Sequence, residues 1–363
     1  MHAAGSPSSM AFLWPALVAE SASELASIVA HELVDLAIGP DAHKRGPEPR
    51  WTTRNDVVLE LTTVRLRDFS AAREGVPTLV CAPFALHGAT ITDFAPDHSL
   101  IAALQGAGST RVLVTDWRSA TPEMRFLSID SYLADLNVVV DTIGGTVDLV
   151  GLCQGGWMAL IYAARFPAKV RKLVLAGAPI DLAAGSSKLS QLARETPLGI
   201  FKQLVDLGSG RVLGAHALRF WEPAAPDGEM IAHSLQSAVG TDAAPLRLEE
   251  RFRDWYAWTL DLPGTYYLQV VEQLFKENRL AGGRFVGLGR RIELTGVRCP
   301  VFLLAAEHDQ VVAPAQIFAT ERLVGSSPSA IRKATAPCEH LGLFMGRDVL
   351  ANAWPDVACW LLQ

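Results

Sequence analysis

Short apolar runs alternate along this chain with segments of helical period. Thr78-Leu79-Val80-Cys81-Ala82, Arg111-Val112-Leu113-Val114-Thr115-Asp116, Val147 to Val150, Lys172-Leu173-Val174-Leu175-Ala176-Gly177 and Val301-Phe302-Leu303-Leu304-Ala305-Ala306 are nearly free of polar interruptions. A strand that is apolar at both parities is buried on both faces, as inside a parallel sheet covered by helices. Helical segments separate these runs at about 98–107, 129–143, 156–166 and 314–324. Val57 to Phe69 alternates instead and reads as a strand pair at the sheet edge. The alternation predicts a doubly wound, mostly parallel α/β sheet. Internal repeats and low-complexity segments are absent from the sequence.

Two stretches depart from this rhythm. Residues 181–295 are rich in helical pattern and aromatics (Phe252, Trp255, Tyr256, Trp258, Tyr266, Tyr267 and Phe275) and fall between two strands of the sheet. They predict a helical cap inserted into the α/β core, with its aromatics either packed as cap core or lining an apolar route to the site. At the other end, Leu25, Ile28, Val29, Leu33 and Leu36 share one helical face, which Gly39-Pro40 terminates. The organisation expected is an N-terminal helical extension and linker over 1–55, core over 56–180, cap over 181–295 and core again over 296–363.

Composition narrows the function class. Half of the 363 residues are hydrophobic and the formal net charge is −6, with no run of one sign. A concentrated basic face for nucleic acid is therefore not expected. The five cysteines (Cys81, Cys153, Cys299, Cys338, Cys359) form no CxxC pair and no metal-ligand spacing, so neither a metal nor another cofactor is expected. Free thiols fit a reducing cytoplasm. The apolar stretch Phe12 to Val18 lacks a basic region before it, and Glu20 and Glu24 follow, which argues against a secretory signal. No stretch is long and apolar enough for a transmembrane helix.

The chemistry concentrates at Leu149-Val150-Gly151-Leu152-Cys153-Gln154-Gly155-Gly156-Trp157. A buried run leads into a glycine-rich turn with a thiol at its apex, and a helix begins just after. This is the G-x-S-x-G nucleophile elbow of the α/β-hydrolase fold with cysteine in place of serine. In that fold the acid and then the histidine follow the nucleophile, each just after a strand. Asp309, after the run 301–306, is the expected orienting carboxylate, with Glu307 its nearby competitor. His340, after a strand near 331–335, is the expected general base. His308 reads as a solvent-facing neighbour. The backbone amide of Gln154 is one expected oxyanion donor, and that of Phe84 or Ala85 the other. His87 and Trp157 are candidate substrate contacts.

At these residues the chain resembles the catalytic domain of polyhydroxyalkanoate synthases and the related intracellular polyhydroxybutyrate depolymerases. The resemblance runs from about Pro77 to the C-terminus. Gly151-Leu152-Cys153-Gln154-Gly155-Gly156 is similar to the G-x-C-x-G-G box of the short, two-component synthases. Asp97-His98-Ser99-Leu100, Asp116-Trp117, Gly177-Ala178-Pro179-Ile180-Asp181 and Asp309-Gln310-Val311-Val312-Ala313-Pro314 resemble further blocks. The resemblance implies that hydroxyacyl groups acylate Cys153, with His340 as base and Asp309 as its partner. It also implies a polyhydroxyalkanoate polymer or oligomer, a granule surface and further copies of the chain as candidate partners, in the cytoplasm. Synthases carry glycine directly before the histidine, where this chain has Glu339, and proline soon after the Asp-Trp pair, where it has Arg118-Ser119-Ala120. His340-Leu341-Gly342-Leu343-Phe344-Met345-Gly346-Arg347 is closer to the depolymerase pattern, and Glu339 beside the base could orient water. The main expectation is hydrolysis by a depolymerase. Synthesis from coenzyme A thioesters is the alternative, and a non-catalytic granule-associated protein a third.

Overall fold

The computed structural model describes residues 47–221 and 244–363. The amphipathic face from Leu25 to Leu36 lies outside the described residues. Among the described residues, eight strands form one sheet: Asp56–Glu60 (β1), Val64–Asp68 (β2), Thr78–Cys81 (β3), Val112–Trp117 (β4), Val147–Leu152 (β5), Val170–Ala176 (β6), Val301–Ala306 (β7) and Ile331–Ala336 (β8). Their order is β1-β2-β4-β3-β5-β6-β7-β8. Only the β1–β2 and β2–β4 pairings are antiparallel, and the pairs from β4 onward are parallel. The run Val57 to Phe69 thus forms the antiparallel edge its alternation predicts.

Strand parity divides the core into two layers. Leu79, Cys81, Leu113, Leu149, Leu173, Leu175 and Leu303 face one side, where they pack with Leu133, Leu136, Trp157 and Ile161 from helices Ile129–Ile143 and Gln154–Arg165. Val80, Val112, Val114, Val150, Val174, Phe302 and Leu304 face the other, against Leu100, Leu104, Trp354 and Val357 from helices Leu100–Gly106 and Arg347–Leu362. Successive side chains of a strand point to opposite faces, so near-continuous apolar runs are what a sheet covered on both sides requires. Each fully buried Leu or Val contributes roughly 1.5–3 kcal/mol relative to exposure. Helix Ile129–Ile143 begins at a Ser128–Ser131 capping box and ends at Gly144, with φ 126°, a conformation that glycine adopts without penalty.

Between β6 and β7 the described residues add no strand to this sheet. They form helices Lys188–Glu195, Leu198–Leu207, Gly214–Trp221, Ala244–Ala257 and Gly264–Gln269, the last continuing into a π-helical turn over Val270–Lys276. Asp181 joins this segment to the body. Its carboxylate accepts from Asn278 Nδ2 at 2.7 Å and from the Ala183 amide at 3.0 Å, and it pairs with Arg322. The polar stretch before β1 is tied down as well. Thr52 and Thr53 donate backbone amides to Asp93 Oδ2 at 2.8 and 2.7 Å, and Ser99 donates its hydroxyl to Asp93 Oδ1 at 2.6 Å.

Candidate active site

The buried strand β5 ends at Leu152, Cys153 forms the turn, and the helix Gln154–Arg165 starts at the next residue. Cys153 has φ 47° and ψ −118°, a region that side chains other than glycine occupy only when the surroundings impose it. Those surroundings are visible. The Cys153 amide donates to the Ala176 carbonyl at 2.9 Å, and its own carbonyl accepts from Gly156 at 2.9 Å. A Cβ on Gly155 would lie 2.2 Å from the Cys81 carbonyl oxygen, and one on Gly156 would lie 2.3 Å from Ala178 Cβ. Strand and helix can approach this closely only without side chains there. The sharp turn pushes the thiol out of the sheet, and Cys153 is half-buried while its neighbours in β5 are fully buried.

The loops after β7 and β8 meet this thiol. His340 Nδ1 donates to Asp309 Oδ2 at 2.7 Å, and both side chains are buried. Asp309 Oδ1 accepts from the amides of Val311 and Val312 at 2.8 and 2.7 Å, so the carboxylate is fixed at both oxygens. Glu307 and His308, by contrast, are exposed. His340 and Cys153 line the same cavity, near enough for the sulfur to act on the imidazole. With Nδ1 committed to Asp309, Nε2 is the nitrogen left for the thiol. Burial pushes the imidazole pKa down, but the charges of Asp309 and Cys153 and the hydrogen bond to Asp309 outweigh it, so the pKa is raised well above 6.5. The arrangement sets an imidazole whose basicity Asp309 raises beside the Cys153 thiol, and a thiol becomes a nucleophile by giving up its proton to such a base.

The loop that carries His340 is supported from farther back in the chain. His98 Nδ1 donates to the Met345 carbonyl at 2.8 Å and so holds the turn Gly342–Met345 that follows His340. Phe344 packs edge-on against the His340 ring at 5.3 Å. Gly177, with φ 54°, passes so close that a Cβ there would sit 3.3 Å from His340 Cε1.

The structure places the other expected residues as follows. Gln154 opens its helix, where the first amides have no intrahelical acceptor. Phe84 and Ala85 line a cavity of about 160 Å³ together with Cys153, Gln154 and His340. The loop that carries them is anchored by Trp117 Nε1, which donates to the Ala82 carbonyl at 2.9 Å. Trp157, expected as a substrate contact, does not line this cavity. It is fully buried in the core, and its indole N–H donates to Gln154 Oε1 at 2.5 Å, so it holds the elbow from behind. Glu339, expected to orient water, does not line the cavity either. His87 does.

The remaining walls come largely from the segment between β6 and β7: Leu189, Leu218, Trp221, Tyr256, Leu262, Tyr266, Tyr267, Val270, Val271 and Phe275. Phe252 and Trp255 instead pack edge-on to Phe94, each at 6.2 Å. Tyr266 is the residue the sequence reading did not single out. It is buried, lines the cavity, and donates its hydroxyl to the Phe84 carbonyl at 3.4 Å. Nothing in its spacing marks it among the other aromatics, because the contact is set by the return of a helix across the loop after β3. Among the described residues there is no cluster of three metal-ligating side chains, and no helix is long and apolar enough to cross a membrane.

Comparison with known proteins places this geometry. A family described as "Protein of unknown function (DUF3141)" matches residues 59–335. The chain belongs to this family. The DUF3141 chain is also 27% identical over 326 residues to the "Poly(3-hydroxyalkanoate) polymerase subunit PhaC" of Synechocystis, covering 86% of this chain and 85% of that protein. It is 26% identical over 301 residues to the protein of the same name from Allochromatium vinosum, covering 79% and 82%. The protein of that name from Haloferax mediterranei is 24% identical over 86% of this chain, which spans only 64% of that relative's length. The resemblance carried by the motifs therefore extends over most of the chain, and these relatives are named as polymerases. Among solved structures, the Bacillus megaterium epoxide hydrolase covers 85% of the chain at TM-score 0.54 and 16% identity, and a Thermogutta terrifontis esterase 86% at 0.51 and 15%. These likenesses establish the α/β-hydrolase fold of the DUF3141 chain.

Proposed function

We propose that the protein is a cysteine-dependent hydroxyacyl transferase that forms polyhydroxyalkanoate, acting from the 181–295 segment as a cap and the core as catalyst. The observation that carries this reading is the thiol of Cys153 at the elbow, in contact with the His340–Asp309 pair and inside an apolar cavity. The names of the similar proteins supply the substrate class and favour polymer formation over hydrolysis.

In this reading the Cys153 thiolate attacks the carbonyl of a hydroxyacyl thioester. The oxyanion is held by the Gln154 amide and by that of Phe84 or Ala85. Collapse forms the acyl–Cys153 thioester and expels the donor thiolate, which takes a proton from the His340 imidazolium. His340, now neutral, accepts the proton of the incoming chain-end hydroxyl as that oxygen attacks the acyl–Cys153 carbonyl. The ester forms, Cys153 leaves as thiolate, and the imidazolium is restored. The apolar lining serves this direction, because water competes with the chain end for the same thioester. Asp309 keeps the imidazole in one tautomer throughout.

A depolymerase would use the same three residues. The loop from His340 to Arg347 is the feature that favours it, whereas Glu339, which could have aided hydrolysis, lies off the cavity. The two are separated by incubating one preparation with 3-hydroxybutyryl-coenzyme A and, separately, with amorphous polyhydroxybutyrate. Release of free coenzyme A with polymer formation, lost in Cys153→Ala, supports transfer. Release of 3-hydroxybutyrate from the polymer without thioester turnover would replace it with hydrolysis.

A further inference from the structure

We infer that His87 reads the acyl group through a hydroxyl on the acyl chain, accepting its hydrogen bond at Nε2. The inference rests on the acyl-transfer reading above and adds to it the residue that tells a hydroxyacyl donor from a plain acyl donor.

Three observations carry it. The first is the tautomer. His87 Nδ1 lies 3.3 Å from the Trp258 carbonyl, and a carbonyl oxygen can only accept, so Nδ1 carries the hydrogen. A neutral ring then presents a bare lone pair at Nε2. Among the described residues only Nδ1 has a protein hydrogen-bond partner.

The second is the charge state. The ring leans on Trp255 and Tyr256, with centroids at 4.4 and 5.0 Å. Burial lowers the pKa to about 4, with the bond to the Trp258 carbonyl opposing only part of the effect. The ring is therefore neutral at ordinary pH and is an acceptor, not a cation.

The third is the surrounding cavity. His87 shares it with Cys153, and among the described residues its lining contains no Asp, Glu, Lys or Arg. Three other groups on the wall already hold protein partners: the Tyr266 hydroxyl donates to Phe84, the Tyr267 oxygen accepts from Trp221, and Gln154 Oε1 accepts from Trp157. An ammonium donor would enter this cavity with no carboxylate to meet it, at a large desolvation cost. A neutral hydroxyl satisfies the lone pair without that cost.

The test compares acylation of Cys153 by a (R)-3-hydroxybutyryl thioester and by the butyryl thioester that lacks only the hydroxyl. The wild type should favour the hydroxylated donor by about 10-fold or more in kcat/KM, since the butyryl donor leaves the Nε2 acceptor facing an apolar chain. His87→Phe keeps a ring for Trp255 and Tyr256 but removes the acceptor, and the ratio should fall toward one. His87→Gln, which offers an amide oxygen, should restore part of it, and this variant decides the matter if the first folds poorly. Acylation of the wild type without preference, or an unchanged ratio in both variants, overturns the role of His87 and leaves the transferase reading intact. Acylation by neither thioester removes the transferase reading and this inference with it.

Discussion

The two walls of the cavity are built on different principles. The sheet wall carries Cys153, Asp309 and His340 and is held by backbone. Positive φ at Cys153, missing side chains at Gly155 and Gly156, and amides locking the Asp309 carboxylate leave it almost no freedom. The opposite wall comes from the helices between β6 and β7 and is held by aromatic packing: Tyr266 with Phe84 and Tyr132 at 5.1 and 4.8 Å, and Phe201 stacked on Trp221 at 5.7 Å. Hydrogen-bonded backbone fixes atoms to fractions of an ångström, as a nucleophile and its base require. Packed side chains fix shape and exclude water while tolerating exchange of one apolar group for another of similar volume. A single mutation should therefore cost activity on the first wall out of proportion to stability, and the reverse on the second.

The sharpest break comes at the thiol. Cys153→Ala should lower acyl transfer by about 10⁴-fold or more while the melting temperature changes little, measured by turnover beside calorimetry. Gly155→Ala is the exception that tests the backbone argument. Its Cβ would meet the Cys81 carbonyl at 2.2 Å, so this variant should lose several kcal/mol of stability together with its activity, seen in denaturant unfolding. An unchanged unfolding midpoint would show that the elbow is looser than the geometry implies.

Asp309→Asn should reduce kcat by about 10²–10⁴-fold and change the pH dependence of stability. The folded-state pKa of His340 is raised above its usual 6.5, so this group adds stability below 6.5 that is lost as pH rises through the higher folded value. Wild-type stability should thus decline from pH 6.5 upward, and the decline should flatten in Asp309→Asn. On the aromatic wall, Tyr266→Phe removes one hydrogen bond to the Phe84 carbonyl. It should cost about 0.5–1.5 kcal/mol of stability and only a few-fold in kcat, the smallest effect of the series.

The same contrast explains what the sequence revealed. The backbone-held wall was legible because its requirements are local. A glycine-flanked Cys153 after an apolar run, and Asp309 and His340 just after later strands, are patterns of residue type and spacing. Strand parity likewise predicted two buried layers. The packed wall was not legible in this way. Tyr256, Tyr266 and Phe275 line the cavity while Phe252 and Trp255 do not, and the difference depends on how helices return across the sheet. Trp157, expected as a substrate contact, does not line the cavity. One residue onward from Gly156 on a buried helix turns its ring into the core.

The central claim is that Cys153 becomes acylated with His340 as its base. It is tested most directly by mixing the protein briefly with 3-hydroxybutyryl-coenzyme A, quenching in acid and mapping peptides by mass spectrometry. The account predicts a hydroxybutyryl adduct on the peptide containing Cys153, formed far more slowly in His340→Ala and absent in Cys153→Ala. An unmodified Cys153 peptide while coenzyme A is being released, or the same adduct on Cys81 or Cys338, would contradict it.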